Sequence, residues 1–395
     1  MSTLTPPSPA VRRARAAVAA LFFTNGAIYA NLIPRLPEIK GALELSDTVY
    51  GLSIAAMPAG ALLSGLAAAT LIRRIGSGRL AVFGSVVLAV AMLVAGLAPA
   101  PAVFALSLFV VGMLDSVVDV AQNTHGLRVQ RRYGRSIINS FHAVWSLGAV
   151  TGGLMSAGAI ALGLPLGVHL AITGTIFAAT ALVALRFCLP GPDGDALEED
   201  ASPVVVLRSR LSPRVALTLA GLALIAIAGT TVEDVGSSWA TLYMGESLGA
   251  PAPLAAMGFI VLIGSQFVGR LVGDRLVDRL GQRTVAVAGG VLVAAGMGLA
   301  LAFPSIPGTL AGFAAAGFGV ATLVPAAMNA ADELPGLRAG TGLTIVTWLM
   351  RLGFLLSPLV IGTISDATEL RVSLLIVPIS GILVILLSGV LRRRG

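Results

Sequence analysis

Apolar residues in this chain come in long runs, separated by short turns. Runs of about 20 residues, enough to cross a bilayer as helix, fall near 16–33, 48–72, 80–97, 102–124, 137–161 and 168–188. A second set follows near 215–243, 254–272, 284–303, 308–330, 340–364 and 372–391. The pattern predicts an all-α membrane protein with twelve transmembrane helices. The turns APAP (98–101), LGLPLG (162–167) and FPSIPG (303–308) carry no charge.

The longest polar stretch, LPGPDGDALEEDASPVVVLRSRLSP (189–213), lies between the sixth and seventh runs. Its prolines, glycines and acidic cluster mark a solvated linker. This divides the chain into a six-helix half at 1–188, the linker at 189–213 and a second six-helix half at 214–395. The halves read as repeats offset by about 206 residues, the kind of duplication that transporters built from parallel repeats carry. Arg74, Ile75 and Gly76 mirror Arg279, Leu280 and Gly281, and Asn123 mirrors Asn329.

Composition agrees with the pattern. Of 395 residues, 56% are hydrophobic and 11% charged, against about 25% charged in a soluble domain. A formal charge of +7 would point a soluble protein toward nucleic acid. Here the arginines sit in short loops between apolar runs, so no nucleic-acid partner is expected. With the N-terminus inside, 22 of the 26 basic residues are cytoplasmic, Arg35, Lys40 and Arg371 are external, and Arg351 lies within a span. That bias predicts an inner-membrane protein with both termini and the linker in the cytoplasm. Arg12, Arg13 and Arg15 therefore precede a first span and not a cleaved leader. Cys188 is the single cysteine, which excludes an internal disulfide and a cysteine-based metal site. No metal and no cofactor is expected.

The candidate chemistry lies in polar residues inside the spans. The stretch 106–125, LSLFVVGMLDSVVDVAQNTH, places Asp115, Asp119 and Asn123 on one helical face with Gln122 beside them. A carboxylate at mid-bilayer costs about 2.5–3.5 kcal/mol on insertion scales, so this face looks at protein or at a water-filled path. Asp115 lies about 20 Å along its helix from the outer end and is a candidate proton carrier, or else has an internal partner. Asp119, one turn further in, can relay protons or form a gate salt bridge with Arg73, Arg74 or Arg135. Glu233 and Asp234 interrupt the seventh run between Gly229 and Gly236, a pattern that predicts a broken helix with freed backbone groups. Adjacent acids cannot share a face, so Glu233 is expected to point inward and Asp234 to pack. Arg351, about 16 Å into the eleventh span, needs an anionic substrate, a carboxylate or an interface to hold it. His142 can relay protons or serve as a structural imidazole. Trp145, Trp239 and Trp348 can stack on a solute, and Trp239 can equally belong to an interfacial belt. Gln266 reads as helix-packing glue.

The stretch GRLVGDRLVDRLGQR (269–283) resembles the signature loop of the major facilitator superfamily. In it Gly273 permits close helix approach, Asp278 can accept backbone N–H groups at a helix start, Arg279 and Arg283 face the cytoplasm, and Gly281 belongs to the same loop. The first-half counterpart, LIRRIGSGR (71–79), departs from the pattern, with Arg73 where the aspartate belongs, so that half would be latched differently. PRLPEIKGALELSDTVYGL (34–52), FHAVWSLG (141–148), EDVGSSWATLY (233–243) and GRLVGDRL (269–276) resemble the YbjJ-like branch, related to the fucose permeases. The resemblance implies that the first, fourth, seventh and tenth spans line a central cavity. Asn25, Asp115, Glu233 and Asn329 would line it, with Asn123, Arg351, Trp239 and Trp348 as further substrate contacts.

No GxxxxGK[ST] loop is present, which argues against ATP-driven pumping. An intramembrane aspartyl hydrolase is disfavoured because Asp115 and Asp119 share one helix and no GxGD-type motif accompanies them. The reading is a monomeric, proton-coupled secondary transporter of a small, sugar-like solute, with proton-driven efflux of amphipathic compounds as the alternative.

Overall fold

The computed structural model describes residues 8–191, 193, 212–335, 337 and 340–391. Among them the chain is helical throughout, and the predicted spans are present. The first six are α1 (Pro9–Leu32), α2 (Asp47–Ile75), α3 (Ser77–Gly96), α4 (Pro101–Tyr133), α5 (Ile138–Ala161) and α6 (Leu166–Leu185). The second six are α7 (Pro213–Ser238), α8 (Ala252–Leu280), α9 (Gln282–Ala302), α10 (Ile306–Asp332), α11 (Thr341–Ala367) and α12 (Leu370–Val390). Eleven are long and apolar enough to cross a membrane as they stand; α2, bent between Ser64 and Ala67, makes twelve if counted as one span.

Local sequence starts several of these helices. Ser8 and Ser212 cap α1 and α7, accepting from the N–H groups of Val11 at 3.4 Å and Val215 at 3.3 Å. Pro9 and Pro213 follow, where a missing N–H costs no hydrogen bond. The helix α4 ends on Gly134, whose φ of 76° suits a residue without a Cβ. The repeat is written into the backbone as well. Gly76 (φ 90°, ψ 143°) and Gly281 (φ 82°, ψ 153°) hold matching left-handed conformations before α3 and α9.

The chain packs as two units. The first comprises Met1–Arg35 with Ala56–Ala201, the second Leu36–Ala55 with Ser202–Gly395. In the first unit α1 crosses α5 with glycine on both sides. A Cβ on Gly26 would overlap the Trp145 carbonyl oxygen, and one on Gly148 or Gly152 the carbonyls of Phe23 or Ala27. Without lipid-driven attraction between helices, such close backbone packing is a main source of association. Around it Leu21, Ile72, Ala81 and Ala121 form one buried cluster, and Val18, Phe22, Val129 and Phe141 another.

In the second unit the segment 36–55, a short helix Leu36–Ala42 and the first turns of α2, packs with α7 and α11. A Cβ on Gly51 would overlap the Pro358 carbonyl oxygen, and one on Gly362 that of Asp47. Asp366 accepts from the backbone N–H groups of Asp47 (2.9 Å) and Thr48 (2.8 Å), capping the start of α2. Lys40 bridges Asp47 and Glu246, each at 3.0 Å.

One expectation about breaks is corrected. The seventh span is not broken at its glycines: α7 runs without interruption to Ser238, and the helix yields only at Trp239, before a single wide turn at Tyr243–Ser247. The Thr230 hydroxyl returns to the Ile227 carbonyl at 3.0 Å, while Gly229 and Gly236 make room for Val324 and Leu262. Those small residues serve packing, so no backbone group is released. The tenth span, by contrast, is interrupted at Ala321 and Thr322.

Candidate functional site

Three polar side chains from three helices meet in the first unit. Asn25 Nδ2 donates to Asp115 Oδ1 at 2.9 Å, and Trp145 Nε1 donates to Asn25 Oδ1 at 2.7 Å. The close crossing of α1 and α5 puts the Trp145 indole within reach of Asn25, and Asn25 in turn orients the carboxylate. Asn25 is buried and Asp115 half-buried. One turn further along α4, Asn123 Nδ2 donates to Asp119 Oδ1 at 2.9 Å, while Gln122, fully buried, donates to the Leu21 carbonyl at 3.1 Å. Asp119 is exposed and Asn123 half-buried. The face predicted from the spacing of Asp115, Asp119 and Asn123 is thus formed, with Gln122 turned into helix packing.

The remaining candidate residues of this unit are dispersed. His142 is exposed, its ring edge-on to Phe22 at 5.3 Å between centroids. Arg73 donates to Thr70 Oγ1 at 3.1 Å, and both Arg73 and Arg74 are exposed. Arg135 lies over the Tyr133 ring, 5.3 Å from its centroid.

In the second unit the two adjacent acids have different surroundings. Glu233 accepts from Gln266 Nε2 at 2.9 Å and pairs with Arg270 at 3.6 Å, leaving its side chain 23% exposed. Asp234 is buried, with Ser238 Oγ donating to it at 3.3 Å. Trp239 is completely buried and meets Tyr50 edge-on at 5.0 Å, a position with no face for lipid headgroups. Arg351 is exposed, its guanidinium over the exposed Trp348 ring at 5.4 Å. Asn329 is exposed near the C-terminal end of α10.

The loop between α8 and α9 keeps the geometry expected of Gly273: it is buried, and a Cβ there would overlap the Thr322 side chain on α10. Asp278 does not cap the next helix. It lies exposed in the last turn of α8 with Arg279, and the residue before α9 is Gly281, with no side-chain cap.

One cluster was missed by sequence reasoning. Asp193, in the linker, accepts the Ser77 N–H at 2.7 Å and the Ser77 hydroxyl. His125 Nδ1 meets the same hydroxyl at 2.9 Å, and His125 Nε2 accepts the Leu189 N–H at 3.2 Å. Arg128 pairs with Asp193 at 3.5 Å and donates to the carbonyls of Pro190 and Gly191. The linker therefore supplies, at the start of α3, the acid that the first-half loop lacks. Of the linker, 192 and 194–211 lie outside the described residues, while its last two positions, 212–213, are described.

The sequence model of the Major Facilitator Superfamily matches residues 18–276 and 237–395, and this chain belongs to that superfamily: it is a multi-pass membrane transporter of the secondary class. Among curated relatives it is 29% identical over 376 residues to an uncharacterized transporter, y4wD, of Sinorhizobium fredii, covering 95% of this chain and 97% of that one. It is 27% identical over 369 residues to the membrane protein MosC of Rhizobium meliloti, covering 93% and 88%. Among solved structures, the nucleoside transporter NupG superposes with a TM-score of 0.71 at 13% identity, over 95% of this chain and 98% of that one. A bacterial homologue of the human lysosomal transporter Spinster, inward-facing and occupied, gives 0.70 at 14%, over 97% and 96%. At those identities the two structures speak for the fold alone.

Proposed function

We propose that this protein is a proton-coupled transporter of a small polar, sugar-like solute, with Asp115 carrying the proton. The supporting observation is the Asn25–Asp115–Trp145 triplet. An acid inside a span is held by a neutral amide, which fixes its direction without cancelling its charge. An intramembrane acid held in this way is the kind of group from which proton relays are built. The Asn25 amide and the Trp145 indole also offer a polar solute hydrogen bonding and a flat ring for sugar-like faces. In this reading Glu233, with Gln266 and Arg270, forms a second polar station on α7. Membership of the YbjJ-like branch, related to the fucose permeases, belongs to the same proposal and rests on the motifs quoted above. So do a monomeric state and an inner-membrane location with cytoplasmic termini.

The test is flux in sealed vesicles under an imposed pH gradient, across a panel of sugars, nucleosides and amphipathic compounds. Asp115→Asn keeps size and hydrogen bonding but cannot titrate. It is expected to abolish gradient-driven accumulation while sparing solute exchange. Wild-type accumulation by this variant would remove Asp115 from the coupling role. Gradient-driven export of the amphipathic compounds alone would favour efflux.

A further inference from the structure

An open groove of about 590 Å³ lies between α1 and α6, both in the first unit, and the proposed transport makes no use of it. Ala16 and Ala20 line it from α1, and Ala179, Val183 and Phe187 from α6 and the turn that follows. As the first and sixth of six successive spans, the two helices run in opposite directions. Arg13, the first lining residue of α1, and Phe187, the last on the side of α6, therefore share one end of the groove. The alanines lead away from that end, over about 10 Å from Arg13 to Ala20 at 1.5 Å per residue. The Thr180 hydroxyl, also in the lining, is returned to the Ile176 carbonyl at 2.9 Å. Beyond Arg13 the groove thus offers a polar solute no free side-chain donor or acceptor. A recess of this kind at hydrocarbon depth is filled by hydrocarbon, because an empty gap forfeits the contacts of every atom that lines it.

Charge decides which hydrocarbon. Three arginines open α1, and one of them is committed: Arg15 donates to the Tyr133 hydroxyl at 2.9 Å and lies over its ring. Arg12 and Arg13 are exposed, and among the described residues no carboxylate pairs with either. Arg186, next to Phe187, is likewise exposed and has no carboxylate partner among them. A guanidinium can take two phosphate oxygens at once, and basic residues at a crevice between spans are the pattern that holds anionic headgroups. We propose that this groove is a binding site for one anionic phospholipid, with an acyl chain along the alanines and the phosphate on Arg13. With the orientation that the arginine bias predicts, the lipid belongs to the cytoplasmic leaflet. The site stands apart from proton coupling and holds whether or not the protein moves protons.

The test uses the full-length protein, delipidated in detergent and titrated with dioleoyl phosphatidylglycerol or dioleoyl phosphatidylcholine, with bound lipid counted by native mass spectrometry. One phosphatidylglycerol should be held about fivefold more tightly than phosphatidylcholine. Arg13→Gln should abolish that preference while the neutral lipid binds as before. Arg214→Gln, at an exposed arginine of the second unit, should leave it intact. Ala16→Leu with Ala179→Leu fills the groove from two exposed positions and should weaken both lipids without lowering the melting temperature. If that pair melts early, the Arg13→Gln comparison decides alone. Equal retention of the two lipids by the wild type overturns the proposal, as does a preference that survives Arg13→Gln. An equal loss with Arg214→Gln would assign the preference to basic surface in general and overturn it too. Displacement of phosphatidylglycerol by millimolar glycerol 3-phosphate would leave only an anion site. A dimer that the paired leucines dissociate would put a second copy of the chain in the groove in place of the lipid.

Discussion

At the scale of single residues, the surroundings separate acids that look alike in sequence. Asp115 has an amide, Glu233 an amide and a guanidinium, and Asp234 a hydroxyl. The same logic applies to the one thiol. Cys188, just past α6, is half-buried, and burial pushes its pKa up to about 11. The thiolate is the reactive form, so the wild-type protein should resist maleimide at pH 7–8. Its labelling rate should climb as pH passes 9 and continue rising toward 11, while denaturation at pH 8 should release ordinary reactivity. Fast labelling of the folded protein at neutral pH would contradict the burial.

At the scale of elements, the glycine crossings carry the packing. Gly148 on α5 stands against the Phe23 carbonyl of α1, so Gly148→Leu forces the two helices apart. Overpacking of this kind costs about 1–3 kcal/mol or more, and here it also separates Trp145 from Asn25. The variant should melt well below wild type in detergent and lose accumulation along with Asp115→Asn. Gly158→Leu, where no atom lies within 4 Å of a Cβ, is the control expected to melt like wild type. Spans were legible because twenty apolar residues have few alternatives, and the polar face of α4 because helical spacing alone puts Asp115 and Asp119 together. Partners were not legible. Nothing in the run 48–72 marks Tyr50 for Trp239, and nothing in the linker marks Asp193 for Ser77, because both contacts join positions over a hundred residues apart. The broken helix expected at Gly229–Gly236 failed for a related reason: small residues loosen a helix or let a neighbour close in, and only the neighbour decides which.

At the scale of the whole molecule, the arginine bias predicts the orientation. Introduced cysteines in the linker, or after α12, should react with impermeant reagent in inverted vesicles and stay silent in intact cells. Labelling of linker sites in intact cells would reverse the assignment. The division into two units does not follow the duplicated halves. Residues 36–55 are counted with the first repeat by sequence and with the second by packing, through Gly51 on Pro358, Gly362 on Asp47 and Asp366 on the start of α2. Heritable variation feels contacts, not ancestry. A substitution that adds bulk at Gly51 meets the backbone carbonyl of Pro358, which no change of side chain on α11 removes. The start of α2 is thus held in place by the backbone of a helix some three hundred residues away in sequence, and neither repeat alone contains what fixes it.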